Sequence, residues 1–355
     1  MERMQVLVLF GGRSSEHEIS CKSAYNVLHF IDRDKYDVTV IGITKEGEWY
    51  LYTDSVEKMK DFTWNEGKDT MKRAFLLPDR GLRSIVIADE GGMEYRKIDV
   101  CIPVLHGKNG EDGTVQGLLT LAGIPYVGPH VCASALCMNK VYANMVFDYE
   151  GIAQAKWIYF KSPELRSQPD AAICRIEQEI GYPCVIKPAN AGSSIGVTIV
   201  QDRNMLDGAL NLAMEHDGFI LVEECIRGRE VECAVLGNED PVVSGVGEIV
   251  SPEGFYDYEE KYIKATTALL IPAPLPDAVA EEIRATARKA YRGTDCRGLS
   301  RIDFFVRTSD QKVLLNEINT LPGFTDISMY PRLFEAAGMS QTELIDQLIS
   351  FALKN

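Results

Sequence analysis

The 355-residue chain lacks any apolar run of membrane-spanning length. The N-terminal stretch Met4–Phe10 is too short for a signal core and runs straight into Gly11-Gly12. We therefore expect a cytoplasmic protein without a targeting segment. There is no Cys-x-x-Cys pair: the nine cysteines are scattered, most of them in apolar runs. An odd, dispersed set excludes a disulfide framework and a zinc site, and implies a reducing compartment. Positive charge is in short supply, 37 Lys and Arg against 52 Asp and Glu, a net −15. That argues against nucleic acid as a partner, though a local basic site can still hold a small anion. Two common nucleotide fingerprints are also missing. No Gly-x-Gly-x-x-Gly follows the first strand, and no Gly-Lys-Ser/Thr opens a helix. With 46% hydrophobic and 25% charged residues, the composition is that of a globular protein, long enough for two or three domains.

The most informative stretch is Arg301–Asn319, which reads as a β-hairpin about the polar turn Thr308-Ser309-Asp310-Gln311. Alternation along strands puts Arg301, Asp303 and Phe305 on one face, and Leu315, Glu317 and Asn319 likewise. Pairing about a turn centred near Asp310 sets Asp303 opposite Glu317 and Arg301 opposite Asn319. Two facing carboxylates repel unless positive charge lies between them. Arg301 supplies some; a divalent ion on oxygen ligands would supply more. From these residues alone, a surface salt bridge and a metal site both remain open.

Elsewhere the order is strand, glycine turn, helix, as at the start of a doubly wound α/β domain. Ser15 and Glu18 fit a helix-opening capping box, and Glu16 falls in the first turn, as a surface carboxylate or as a ligand for an ammonium group. Asp99–Leu105 is a strand ending in the loop His106–Gly113, at the carboxyl end where open α/β sheets bind ligands. Thr114–Ala122 is a helix stopped by Gly123, Ile124–Val127 a strand, and Val131–Tyr149 one helix carrying Lys140. Cys184–Pro188 is a strand bearing Lys187. The glycine- and serine-rich loop 189–197 after it offers free N–H groups able to close over phosphates. Phe219–Glu224 is a strand, Arg227–Glu230 a turn and Val231–Leu236 another strand. The Tyr-, Asp- and Lys-rich segment 251–270 suits a lid. Asp277–Tyr291 is an amphipathic helix, and Pro331 sits in the first turn of another.

Three runs then converge on one family. Gly11-Gly12-Arg13-Ser14-Ser15-Glu16-His17-Glu18-Ile19-Ser20, His106-Gly107-Lys108-Asn109-Gly110-Glu111-Asp112-Gly113 and Asn316-Glu317-Ile318-Asn319-Thr320-Leu321-Pro322-Gly323-Phe324-Thr325 resemble the D-alanine–D-alanine ligases of the ATP-grasp superfamily. The resemblance spans essentially the whole chain, with the motifs in order. It implies an α/β fold: an N-terminal doubly wound domain (1–128), then a two-part ATP-grasp fold made of a central subdomain (129–222) and a C-terminal one (223–355). It also implies a reaction for peptidoglycan precursor synthesis. ATP phosphorylates one D-alanine, and the amine of a second attacks the acyl phosphate. By motif, Asp303, Glu317 and Asn319 match ligands of two Mg²⁺ (or Mn²⁺) ions. Arg301 and the Gly323 N–H match the oxyanion contacts, and Lys140 and Lys187 the phosphate-binding lysines. Glu223, Glu224, Ile226 and Glu230, with Phe255, match the adenine and ribose site. Glu16 matches the group that holds the first ammonium, linked to Ser193 and Tyr262, with His106 nearby. Lys261 and Ser328 match groups that hold the second substrate. A homodimer is the expected assembly, and neither nucleic acid nor membrane is expected as a partner.

Related ligases use D-serine or D-lactate as acceptor. Glu260-Lys261-Tyr262 favours an amine acceptor. Met329 after Ser328 favours alanine, because an apolar pocket offers a serine hydroxyl no partner. A non-catalytic nucleotide binder is disfavoured by the complete set of polar site residues, and a dehydrogenase by the wrong glycine pattern.

Overall fold

Period-two alternation in the first strand decides how the N-terminal region is built. The computed structural model describes residues 3–250 and 268–354. Its first sheet contains β1 (Met4–Gly11), β2 (Tyr36–Ile43), β3 (Trp49–Tyr52), β4 (Arg73–Leu76), β5 (Ser84–Asp89), β6 (Gly92–Lys97) and β7 (Val100–Val104), in the order β6-β5-β4-β3-β2-β1-β7. β2, β1 and β7 are parallel. The segment between β2 and β7 adds an antiparallel extension. On β1, Val6, Val8 and Phe10 face one core with helix 17–30, while Leu7 and Leu9 face another with helix 114–122. Each fully buried side chain of this kind stabilises the fold by about 1.5–3 kcal/mol. The carboxyl ends of β1 and β7 then deliver the Gly11-Gly12 and His106 loops to the same edge.

The second sheet is antiparallel: β8 (Trp157–Lys161), β9 (Cys184–Pro188), β10 (Thr198–Val200) and β11 (Phe219–Glu224), ordered β10-β9-β11-β8. The third holds β12 (Gly228–Gly237), β13 (Val242–Val250), β14 (Ala268–Leu270), β15 (Gly298–Arg307) and β16 (Val313–Asn319), ordered β14-β13-β12-β15-β16. One face of this sheet, with Val231, Cys233, Val235, Ile302, Phe304 and Ile318, packs under helices 131–138, 140–149 and 277–293. The first core also takes in the helices at 329–336 and 341–352, so the two ends of the chain share one apolar body.

The hairpin has the expected register: Arg301 pairs with Asn319, and Asp303 with Glu317. A bulge then slips the pairing, so that Phe304 meets Leu315. One extra residue reverses which face a side chain takes. Leu315 therefore joins the apolar core with Phe304 rather than sharing a face with Glu317.

Other expectations change too. Ser15 caps nothing. The first long helix begins at His17, with Glu16 at its N-cap and no side-chain cap, and Ser14 Oγ accepts from the Glu16 N–H instead (3.2 Å). Ile124–Val127 makes only an isolated bridge from Tyr126 to Cys101. Gly228–Glu230 belongs to β12, because its pairing with β15 continues to Arg307. The helix expected over 131–149 is two helices broken at Asn139, whose side chain accepts from the Val141 and Tyr142 N–H groups. An asparagine that bonds its own backbone prefers a cap to a helix interior. The break makes Lys140 the first residue of a new helix. Asn139→Ala should lower the unfolding free energy by about 1 kcal/mol in chemical denaturation.

Candidate active site

A cleft of about 470 Å³ opens where the three sheets meet. Among its lining residues are Glu16, His106, Lys140, Lys187, Ser193, Glu223, Glu224, Ile226, Glu230, Arg301, Glu317, Asn319 and Gly323. The fold thus brings to one wall residues spread over three hundred positions. Phe255, Lys261 and Tyr262, with most of the expected lid, lie outside the described residues.

Glu16 is buried, and Ser193 Oγ donates to its Oε1 at 2.6 Å. Its other oxygen is walled in by glycines. A Cβ on Gly107 would lie 2.7 Å from Oε2, and one on Gly192 3.0 Å. Gly107 also has φ +69°, which a larger residue would adopt only with strain. Ser193 and Ser194 sit at φ 51° and 59°. These left-handed conformations cost roughly 1–2 kcal/mol per residue and turn the loop toward Glu16.

Beside Glu16, a hydrogen-bond chain fixes the turn 321–324. His106 Nδ1 meets the Leu321 carbonyl at 2.9 Å, and Nε2 meets Ser23 Oγ at 3.0 Å. A carbonyl only accepts, so Nδ1 carries the proton and Nε2 accepts from Ser23, which accepts from the Phe324 N–H (3.0 Å). Burial holds His106 below the usual imidazole range, in keeping with this neutral form. Glu111 takes the Gly107 N–H at 2.7 Å and the Leu321 N–H at 3.2 Å. Burial and the nearby charge of Glu16 push its carboxyl up to about 8. Ser328 lies just below the cleft wall, 2.9 Å from where a Gly323 Cβ would be, and accepts from the Thr325 N–H at 2.9 Å.

The third sheet supplies the most charged part of the wall. Across β12, β15 and β16 the register sets Glu232, Asp303 and Glu317 in one row. Arg301 grips Asp303 with two bonds, at 2.7 and 2.6 Å, and its Nε lies 2.9 Å from Glu232. Asn319 Nδ2 donates to Asp303 Oδ2 at 3.0 Å. Lys140 Nζ lies 3.2 Å from Glu317 and donates to the Ala191 carbonyl at 2.8 Å. A cation in the first turn of a helix opposes the helix dipole, so Lys140 is held by these contacts rather than by helix stability. Deeper in, Lys187 meets Glu223 at 2.5 Å, and Asn144 bonds the same carboxylate. Glu224 accepts from the Lys156 N–H (2.9 Å). Phe305, opposite Glu230, lines this end.

Comparison with known proteins identifies the family. The family model "D-ala D-ala ligase N-terminus" matches residues 5–129, and "D-ala D-ala ligase C-terminus" matches 146–350. The chain belongs to the D-alanine–D-alanine ligase family. A D-alanine–D-alanine ligase of Acetivibrio thermocellus is 49% identical, with 99% of this chain and 96% of that one covered. One from Caldicellulosiruptor bescii is 47% identical, covering 100% and 96%. Among solved structures, the VanG D-Ala:D-Ser ligase from Enterococcus faecalis aligns with a TM-score of 0.90 at 40% identity, over 99% of this chain and 100% of that one. The D-alanine–D-alanine ligase from Coxiella burnetii aligns at 0.85 and 33%, over 100% and 95%.

For this member of the ligase family, sequence reasoning missed four side chains, two that line the wall, Glu111 and Asn316, and two that stand behind it, Ser23 and Glu232. Both Glu111 and Asn316 lay inside recognised motifs, but alternation put Asn316 on the face away from Glu317, whereas it is the extra residue of the bulge and lines the cleft. Ser23 and Glu232 carried no local signal, being placed by helix packing and by a third strand. Met329 also differs from expectation. It is buried in the core, where a Cβ on Gly247 would lie 2.5 Å from its sulfur, and it does not line the cleft. The buried Glu111 predicts a pH dependence. Its folded pKa is raised, so the folded state keeps a proton that the unfolded chain has lost above about pH 4.5. Stability from this group is therefore full at low pH and falls as pH rises toward 8, by up to about 1.4 kcal/mol per unit. In denaturation across pH 5–8, wild type minus Glu111→Gln should show this downward slope.

Proposed function

We propose that this cleft carries out the family's reaction, the ATP-dependent joining of two D-alanines into D-alanyl-D-alanine. The observation that supports the reading best is convergence: Glu16 clamped by Ser193, both lysines and the hairpin's polar end share one cleft. Adenine and ribose lie at the end lined by Glu223, Glu224, Ile226, Glu230 and Phe305, and the family resemblance adds Phe255 to their contacts. Lys187 and Lys140 hold phosphates. From Phe305 back to Arg301, four residues along β15, the wall runs roughly 13 Å at about 3.3 Å per residue. That length leads from the nucleoside end toward the reacting phosphate.

Asp303, Glu317 and Asn319 offer carboxylate and amide oxygens only. Two of them are carboxylates already drawn to cations, Arg301 and Lys140. The donor set fits two hard divalent ions, Mg²⁺ or Mn²⁺. Such ions, when bound, neutralise charge on the phosphates and bring the γ-phosphoryl group close to its acceptor.

Glu16, aligned by Ser193 and Tyr262, takes the ammonium of the first D-alanine. His106 shapes the same end by holding the 321–324 turn. The carboxylate of that D-alanine attacks the γ-phosphorus, releasing ADP. The free amine of the second D-alanine, oriented by Lys261 and Ser328, then attacks the acyl carbonyl. Arg301 and the Gly323 N–H stabilise the resulting oxyanion, and phosphate leaves. No protein side chain is acylated or phosphorylated, because the substrates react with each other.

D-alanine as acceptor follows the curated relatives. D-serine is the runner-up, on the likeness to VanG, and Met329 cannot decide between them from inside the core. We take 1–128, 129–222 and 223–355 as the working domains, and a cytoplasmic homodimer as the working form. Among the described residues no helix is long and apolar enough to cross a membrane.

Glu317→Gln should cut turnover by about a thousandfold or more with the thermal transition nearly unchanged; near-normal phosphate release would sink the metal assignment. With ATP and labelled D-alanine, equal D-serine and D-lactate as rival acceptors should leave D-alanyl-D-alanine the main product. A mixed product in excess would make this a different ligase of the same family.

A further inference from the structure

Glu232 has no place in the chemistry above. It is 5% exposed, does not line the cleft, and lies beside Asp303 on the neighbouring strand. Its carboxylate stands 2.9 Å from Arg301 Nε. Burying a third carboxylate in a row of three is costly, since each desolvated charge needs a close partner. Among the described residues Arg301 therefore has two anionic anchors, Asp303 and Glu232. Only Asp303 is also needed as an oxygen donor to divalent cations. When Asp303 is drawn that way, an arginine with one anchor would be left buried and unpaired, or would hold Asp303 back. A second anchor removes that conflict.

We propose that Glu232 is a positioning residue for Arg301, holding the guanidinium in place so that Asp303 is free to serve a bound divalent ion. The inference rests on the metal reading given above. The single Nε–H of Arg301 goes to Asp303 Oδ1, so at Nε Glu232 holds the guanidinium by close charge rather than by a hydrogen bond. Glu232 works at one remove: it keeps Arg301 aimed at the oxyanion and weakens its competition for Asp303. Without the Glu232 charge, Arg301 leans harder on Asp303 and competes more strongly with the ion for it.

The test is Mn²⁺ titration of the enzyme–ADP complex, followed by the electron paramagnetic resonance signal of free Mn²⁺. The variants are Glu232→Gln, Arg301→Met, the two combined, and Asp303→Asn. Glu232→Gln should raise the Mn²⁺ dissociation constant about tenfold. In the Arg301→Met background the same change should do little, because the coupling runs through Arg301. Equal weakening in both backgrounds would mean that charge alone is at work and would overturn the proposal, as would no weakening in wild type. If Asp303→Asn leaves Mn²⁺ binding intact, the metal reading fails instead. Should Arg301→Met not fold, steady-state kinetics decide: at saturating Mg²⁺, Glu232→Gln should lower kcat with KM for ATP unchanged. An unchanged kcat would overturn the positioning role.

Discussion

The structure turns on keeping like charges together in a half-buried place. Glu232, Asp303 and Glu317 lie side by side across three strands, where three carboxylates repel one another unless cations stand between them. Arg301 and Lys140 make the row tolerable, one from within the same sheet and one from the start of a helix across the cleft. Much of the surrounding fold serves to bring those cations there. Asn139 breaks a helix so that Lys140 opens the next one. Alternation along β15 puts Arg301 on the same face as Asp303, and the β15–β12 register sets Glu232 beside Asp303.

A second set of bonds ties the chain's beginning to its end. Ser23, His106 and Glu111 come from the N-terminal sheet region, yet all bind the turn 321–324 that follows the hairpin. The helix at 341–352 packs into the core of the first sheet, with Asn26 bonded to Gln341 at 2.6 Å. Glu16 and Gly323 are thus held on a common frame, so the ammonium and oxyanion contacts proposed for them would keep a fixed separation. Catalysis by positioning requires that kind of rigidity, since small misplacements are costly in rate.

Much of this was legible along the chain. The hairpin register followed from alternation and a polar turn, and it placed Asp303 opposite Glu317 correctly. Met4–Phe10, Asp99–Leu105 and the Gly123 stop were equally plain, because local propensity and burial agree there, whereas the antiparallel strands between residues 49 and 97 were not. The bulge was not legible. A strand with one extra residue looks like any other until its partner is known, and that single slip sent Leu315 into the core. Nor was Met329, whose apolar side chain suits a substrate pocket and a core equally well.

The sequence by itself determined the family, part of the order of elements and the chemical types at the site. Those depend on short-range patterns: period two, turn residues, and motifs in which neighbouring residues act together. Tertiary structure alone decided which charges share a partner, which serine feeds His106, and that Glu232 stands behind Arg301. These are contacts between residues tens to hundreds of positions apart, and nothing in a local window fixes the distance between two side chains that only folding brings together.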